Sequence, residues 1–217
     1  MPMPKRTQGL AKKYKLFVFD WDGTLLYLRF PLAVNEAIKR AFRLWNVSAP
    51  KNLVDLRDYD MRKTLAREEI KNGVLTFLAD VIFMLSKPKL HNDTVKILKM
   101  LKKKNRRIAI FSNSGRYRLL KELSYLGVKD YFEVIVSARD FHTTKPDPTG
   151  LKAVLYAMKV KPGEAVYLGD MVDDMVAAEL VGVHTCGVAD GFDSYHTLKS
   201  TNPEYLFRSM EELSKAL

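Results

Sequence analysis

The octet Phe17-Val18-Phe19-Asp20-Trp21-Asp22-Gly23-Thr24 decides how this chain is read. The run 15–19 has the apolar, β-branched and aromatic character of a buried strand, and it stops in two aspartates one residue apart. A buried strand of a parallel sheet gains no stability from carboxylates at its carboxyl end, and that end is where an open α/β sheet binds its ligands. Paired acids with Gly23 and Thr24 turning away behind them form a seat for a hard cation and a phosphate. The octet alone leaves a second reading open, a strand followed by a polar turn whose acids are merely solvated.

Working outward, short runs rich in Val, Ile and Phe recur at 15–20, 107–112, 133–137, 165–170 and 183–188, with 205–207 as an edge strand. Between them, 93–103, 117–126, 149–158 and 173–181 carry helical periodicity, several closing at Asn105, Gly127 or Gly182. A terminal helix is expected over 209–217. This alternation predicts an α/β fold, a Rossmann-like parallel sheet with helices on both faces. The interval after the first strand differs. Segments 31–45, 55–71 and 74–86 read as helices with no strand among them, too much helix for a single crossover. The expected organisation is a discontinuous core, 1–27 and 92–217, with a small helical cap, 28–91, inserted after the first strand. Residues 1–13 are expected to form a partly mobile basic arm.

A length of 217 residues suits one domain with a modest insertion, and 47% hydrophobic residues supply a sizeable core. The single cysteine, Cys186, excludes an internal disulfide and a cysteine-based zinc site, and it suits a reducing interior. Residues 1–14 hold no apolar core of signal-peptide length. The most apolar stretch, 74–85, is interrupted by Asp80 and is too short to span a bilayer. A soluble cytoplasmic protein with no membrane association is therefore expected. The net charge is +11, from 36 basic and 25 acidic residues, which favours anionic partners, either nucleic acid or small anionic substrates. The densest basic run, 102–107, ends a helical pattern, where cations suit the helix dipole, and it lacks interleaved aromatics for base stacking. Nucleic acid is not expected as the main partner.

Three further signals follow, each at the end of a predicted strand. Ile108-Ala109-Ile110-Phe111 leads into Ser112-Asn113-Ser114, a hydroxyl and backbone amides able to hold phosphate oxygens, though Ser-Asn is also common turn chemistry. Thr143-Thr144-Lys145-Pro146-Asp147-Pro148 sets a lysine in a proline-stiffened loop, where a fixed ammonium would neutralise a phosphoryl group; the plainer reading is a loop lysine before a helix. Val166-Tyr167-Leu168-Gly169-Asp170-Met171-Val172-Asp173-Asp174 is again a strand ending in carboxylates. Magnesium needs about six oxygen ligands and keeps several waters, so Asp20, Asp170 and the Asp22 backbone carbonyl would suffice for the protein's share. Asp173 stands either as an alternative acid or as the cap of the following helix.

These four signals, in this order, resemble the haloacid dehalogenase superfamily of phosphohydrolases, through its Asp-x-Asp-Gly-Thr, Ser, Lys-Pro and Gly-Asp-x-x-x-Asp elements. The resemblance runs from Lys15 to about Gly191, and the insertion resembles the helical cap of the phosphoglycolate phosphatase-like subgroup. It implies that Asp20 attacks phosphorus to form an aspartyl-phosphate, and that Asp22 protonates the leaving oxygen and then takes a proton from water. It implies that Thr24, Ser112, Asn113 and Lys145 bind the phosphoryl group, with Ser112 and Lys145 also serving catalysis. Asp20, Asp22, Asp170 and Asp174 are implied as the magnesium site, Asp170 and Asp174 acting directly or through water. Relatives that cleave carbon–halogen bonds lack an acid at the position of Asp22, so its presence points to phosphoryl chemistry. Trp21 is expected to pack rather than to act in catalysis.

The expected function is a magnesium-dependent phosphatase for small phosphomonoesters, with phosphoglycolate, a sugar phosphate or a nucleotide as candidates. A phosphomutase using the same aspartyl-phosphate is the near alternative, and a noncatalytic RNA- or protein-binding member is the distant one. Within the cap, Arg29, Arg57 and Arg62 are candidates for a second anionic group on the substrate, with a solvated surface as the plainer reading. His142 reads as a loop residue, and His184 with Cys186 as one face of a core strand.

Overall fold

The computed structural model describes residues 9–27 and 88–217. The expected cap helices 31–45, 55–71 and 74–86, the arginines Arg29, Arg57 and Arg62, and residues 1–8 of the arm lie outside the described residues. The first half of the chain forms α1 (Leu10–Lys13), β1 (Leu16–Phe19), β2 (Leu26–Tyr27), β3 (Lys89–Leu90), α2 (Thr94–Lys103) and β4 (Arg107–Ser112). Then come α3 (Arg116–Tyr125), β5 (Val134–Ser137), α4 (Thr149–Met158), β6 (Ala165–Gly169) and α5 (Val172–Glu179). The chain closes with β7 (His184–Val188), α6 (Tyr195–Ser200), β8 (Tyr205–Phe207) and α7 (Met210–Ala216).

Six strands form a parallel sheet in the order β5-β4-β1-β6-β7-β8. The chain winds outward from β1 through β4 to β5, returns, and winds the other way through β6, β7 and β8. That reversal leaves a crevice at the carboxyl ends of β1 and β6, the topological switch point. The alternating register of β1 explains why both faces are covered. Phe17 and Phe19 join Ile97, Leu98 and Leu101 of α2 with Leu119 and Leu123 of α3. Leu16 and Val18 face the other way, with Leu151, Val154 and Met158 of α4 and Ala177 and Ala178 of α5. Each fully buried Phe, Leu or Val contributes about 1.5–3 kcal/mol, so a β1 buried at all four positions is the sheet's anchor.

One expectation is corrected. Residues 28–91 were read without a strand, yet Lys89–Leu90 pairs antiparallel with Leu26–Tyr27 across the base of the insertion. A two-residue strand shows no periodicity, and only its partner across the insertion creates it. Of the expected partly mobile arm 1–13, residues 9–13 are described: Leu10 and Ala11 are buried, and the Gly9 amide donates to the Ala216 carbonyl at 3.2 Å. The basic run 102–107 is tied to its own chain. Arg107 meets Glu133 at 2.8 Å, Lys102 meets Glu133 at 3.6 Å, and Lys104 donates to the Leu217 carbonyl. Among the described residues no helix is long and apolar enough to cross a membrane.

Candidate active site

The parallel sheet delivers β1, β4 and β6 side by side, so the residues that follow them converge although they lie far apart in sequence. Asp20 follows β1, Ser112 ends β4 and Asp170 follows β6. Asp20, Asp170 and Asp174 are buried, and each places a carboxylate oxygen within 4.8 Å of the others. Lys145 arrives from the loop before α4, with its ammonium donating to Asp20 Oδ1 at 2.7 Å, Asp174 Oδ1 at 2.6 Å and the Tyr167 hydroxyl at 3.1 Å. The Tyr167 hydroxyl donates in turn to the Phe111 carbonyl at 2.8 Å.

One ammonium among three buried carboxylates leaves an excess of negative charge. Burial pushes the Asp20 carboxyl up, and Asp174 adds to this against the pull of Lys145, leaving it at about 7. Burial, with Asp20 and Asp174 nearby, also holds Asp170 well above the usual carboxylate range. Burial would lower the Lys145 ammonium, but Asp174 and Asp20 more than offset it and keep the group protonated. The site is short of positive charge and rich in hard oxygen donors, which fits a divalent cation such as magnesium.

Asp170 sits in a built cradle. Thr24 Oγ1 donates to Asp170 Oδ1 at 2.7 Å, and the Phe192 amide donates to Oδ2 at 2.7 Å. A Cβ at Gly23, whose φ is +87°, or at Gly191 would collide with that carboxylate. Thr24, expected to bind substrate, is wholly buried with its hydroxyl on Asp170; its place after the strand was legible, its direction was not. Asp174 Oδ2 accepts the Met171 amide at 2.9 Å and so caps the start of α5. With Oδ1 already on Lys145, Asp174 is suited to support a cation through water.

The side chain of Asp22 stands apart from the three-acid cluster. Ser114 Oγ donates to its Oδ2 and Arg118 Nη2 to its Oδ1. Ser112 is buried, donating to Ser114 Oγ and accepting the Ser114 amide, both at 3.2 Å. Asn113 turns its side chain to the loop of Lys145, accepting the Lys145 amide at Oδ1 at 2.8 Å. Trp21 is buried, as expected, and donates to Glu122 Oε2 at 2.7 Å. His142 is an exposed loop residue, while His184 meets Glu204 and Cys186 is core. The sequence reading missed Ser114, Arg118, Glu122 and Tyr167. Arg118 and Glu122 did carry a signal, since they flank Leu119 and Leu123 on the same stripe of α3.

A family model described as haloacid dehalogenase-like hydrolase matches residues 17–188. The pyrophosphatase PpaX of Bacillus pumilus is 25% identical over 218 residues, covering 90% of this chain and 93% of its own. The phosphoglycolate phosphatase of Psychrobacter arcticus is 24% identical over 216 residues, covering 92% of this chain and 94% of its own. A solved structure from Clostridium acetobutylicum, described as a predicted phosphatase, superposes with a TM-score of 0.78 at 20% identity, covering 93% of this chain and 97% of that one.

Proposed function

The chain belongs to the haloacid dehalogenase-like hydrolase family, and on that premise we propose that it is a magnesium-dependent phosphatase that hydrolyses small phosphomonoesters through an aspartyl-phosphate on Asp20. The observation that carries this reading is the Asp20 carboxylate at the switch point of the sheet, grouped with Asp170 and Asp174 and held by the Lys145 ammonium. Three buried acids within 4.8 Å of one another, two of them bonded to a single lysine, are costly to fold stability and mark a functional site.

Asp20 Oδ attacks phosphorus as the bond to the leaving oxygen breaks, and Asp22 gives that oxygen a proton. Ser112, the Asn113 amide and Lys145 hold the phosphoryl oxygens while charge moves across them. Asp22 then takes a proton from the water that cleaves the aspartyl-phosphate. Asp20, Asp170, the Asp22 carbonyl and, through water, Asp174 would hold the magnesium, which offsets the repulsion between the Asp20 carboxylate and an anionic substrate. A small phosphorylated metabolite is the substrate class, and the relatives' names put phosphoglycolate and pyrophosphate at the head of the panel beside sugar phosphates and nucleotides.

The test is phosphate release from that panel with and without magnesium, using wild type and Asp20→Asn in parallel. Release that requires magnesium and disappears in the variant supports the reading. Substantial release by Asp20→Asn would remove Asp20 as nucleophile, and a sugar phosphate isomerised without phosphate release would make the chain a mutase.

A further inference from the structure

Arg118 occupies an unfavourable place. Its side chain is 4% exposed, and it lies in the first turn of α3, where the helix dipole opposes a cation. A buried guanidinium in that position survives only if carboxylates surround it. Two do. Nη2 donates to Asp22 Oδ1, and Nε lies 3.3 Å from Glu122 Oε1, one turn further along the helix. Glu122 Oε2 accepts the Trp21 indole N–H at 2.7 Å. Two consecutive residues of the loop after β1 are thus gripped by two residues one turn apart on α3. Ser114, just before that helix, completes the grip on the second Asp22 oxygen and accepts from Arg118 Nη2 at 3.1 Å.

We propose that Arg118 is a positioning residue for proton transfer, fixing the Asp22 carboxylate beside the leaving oxygen and away from the Asp20–Asp170–Asp174 cluster. The inference rests on the reading of Asp22 as the proton donor to that oxygen. The hold fixes both oxygens of Asp22. Arg118 only donates, to Oδ1, whereas the Ser114 hydroxyl can donate to Oδ2 or turn to accept a proton carried there. In the step itself, the phosphorus–oxygen bond breaks toward the leaving oxygen, and the proton on Asp22 passes to it. Asp22 remains partly open, its side chain 18% exposed, so one edge is free to face a substrate.

Two aryl phosphates of similar shape separate proton donation from everything else. p-Nitrophenolate departs without needing a proton, and phenolate does not. Release of each is followed in a single turnover, with magnesium and full-length enzyme in excess, for wild type, Asp22→Asn, Arg118→Lys and the double variant Arg118→Met with Glu122→Gln. The double variant strands no buried carboxylate and keeps an acceptor for Trp21, and its thermal melt checks that it folds. A positioned general acid contributes roughly 10²–10⁴-fold, so phenol release should fall about tenfold or more in the double variant while p-nitrophenol release changes less than about threefold. Arg118→Lys should recover part of that loss, with enzyme–substrate affinity unchanged throughout. Equal losses for both substrates, or no loss, beside a selective loss in Asp22→Asn would overturn the role of Arg118 and leave Asp22 as the acid. No selectivity in Asp22→Asn itself would remove the acid reading and the proposal with it.

Discussion

Lys145 is the only cation hydrogen-bonded to the buried Asp20 and Asp174 among the described residues, and the two contacts of 2.7 and 2.6 Å give it a structural role beside its proposed phosphate binding. Removing one partner of a buried ion pair costs about 3–5 kcal/mol, because the remaining charge is left without compensation. Lys145→Ala should therefore lose turnover and also unfold at lower urea in the absence of divalent cation. Normal kinetics or an unshifted midpoint would place the lysine outside the site. The loop that carries it was legible in the sequence as Thr-Lys-Pro, but its partners were not. Asp20 lies 125 positions away, and the sheet that sets β1 between β4 and β6 brings the two together. Arg118 and Glu122, despite their place beside Leu119 and Leu123, were missed for a related reason. An i,i+4 pair on a helix reads as a solvated stripe until the sheet beneath shows which face is turned inward.

At the level of elements, the loop after β1 works because its backbone makes a turn few side chains permit. Gly23 has a φ of +87°, and a Cβ there would enter the space of the Asp170 carboxylate. An alanine costs about 1–2 kcal/mol from the left-handed conformation alone, and it must also displace Asp170. Gly23→Ala should lower phosphate release on the order of a hundredfold, the usual effect of a displacement near 1 Å. It should also abolish the rise in melting temperature expected for wild type with magnesium. A variant that keeps that rise would show the cradle tolerates the change. The Leu26–Tyr27 and Lys89–Leu90 ribbon is a second element-level device, since it clamps together two segments more than sixty positions apart just after the loop that carries Asp20 and Asp22. Thr94 strengthens the clamp, its hydroxyl donating to the Leu25 carbonyl at 3.0 Å.

Across the whole molecule, burying three acids together with a single lysine bonded to two of them sets the response to pH and to metal. Asp20 titrates at about 7 in the folded, metal-free chain, above the usual carboxylate value of the unfolded chain. Between those values the folded state binds the additional proton, so raising the pH strips a proton that folding favours, and stability falls. Melts in a chelator should therefore show wild type losing stability relative to Asp20→Asn as pH rises from about 4 through about 7. Magnesium should reverse the loss, more at pH 8 than at pH 5; a constant difference between the two proteins would refute the assignment. The alternating apolar runs determined the α/β class, because strand and helix periodicities are local properties that solvent and packing read directly. The ordered motifs likewise determined the family and the set of acids. Which way each polar side chain points was decided only by the tertiary structure: Thr24 toward Asp170, Asp174 toward Lys145 and the start of α5, Asp22 toward Arg118. Hydrogen-bond partners and buried charge balance are set by neighbours in space, and in a parallel sheet those neighbours are separated by whole crossovers of chain.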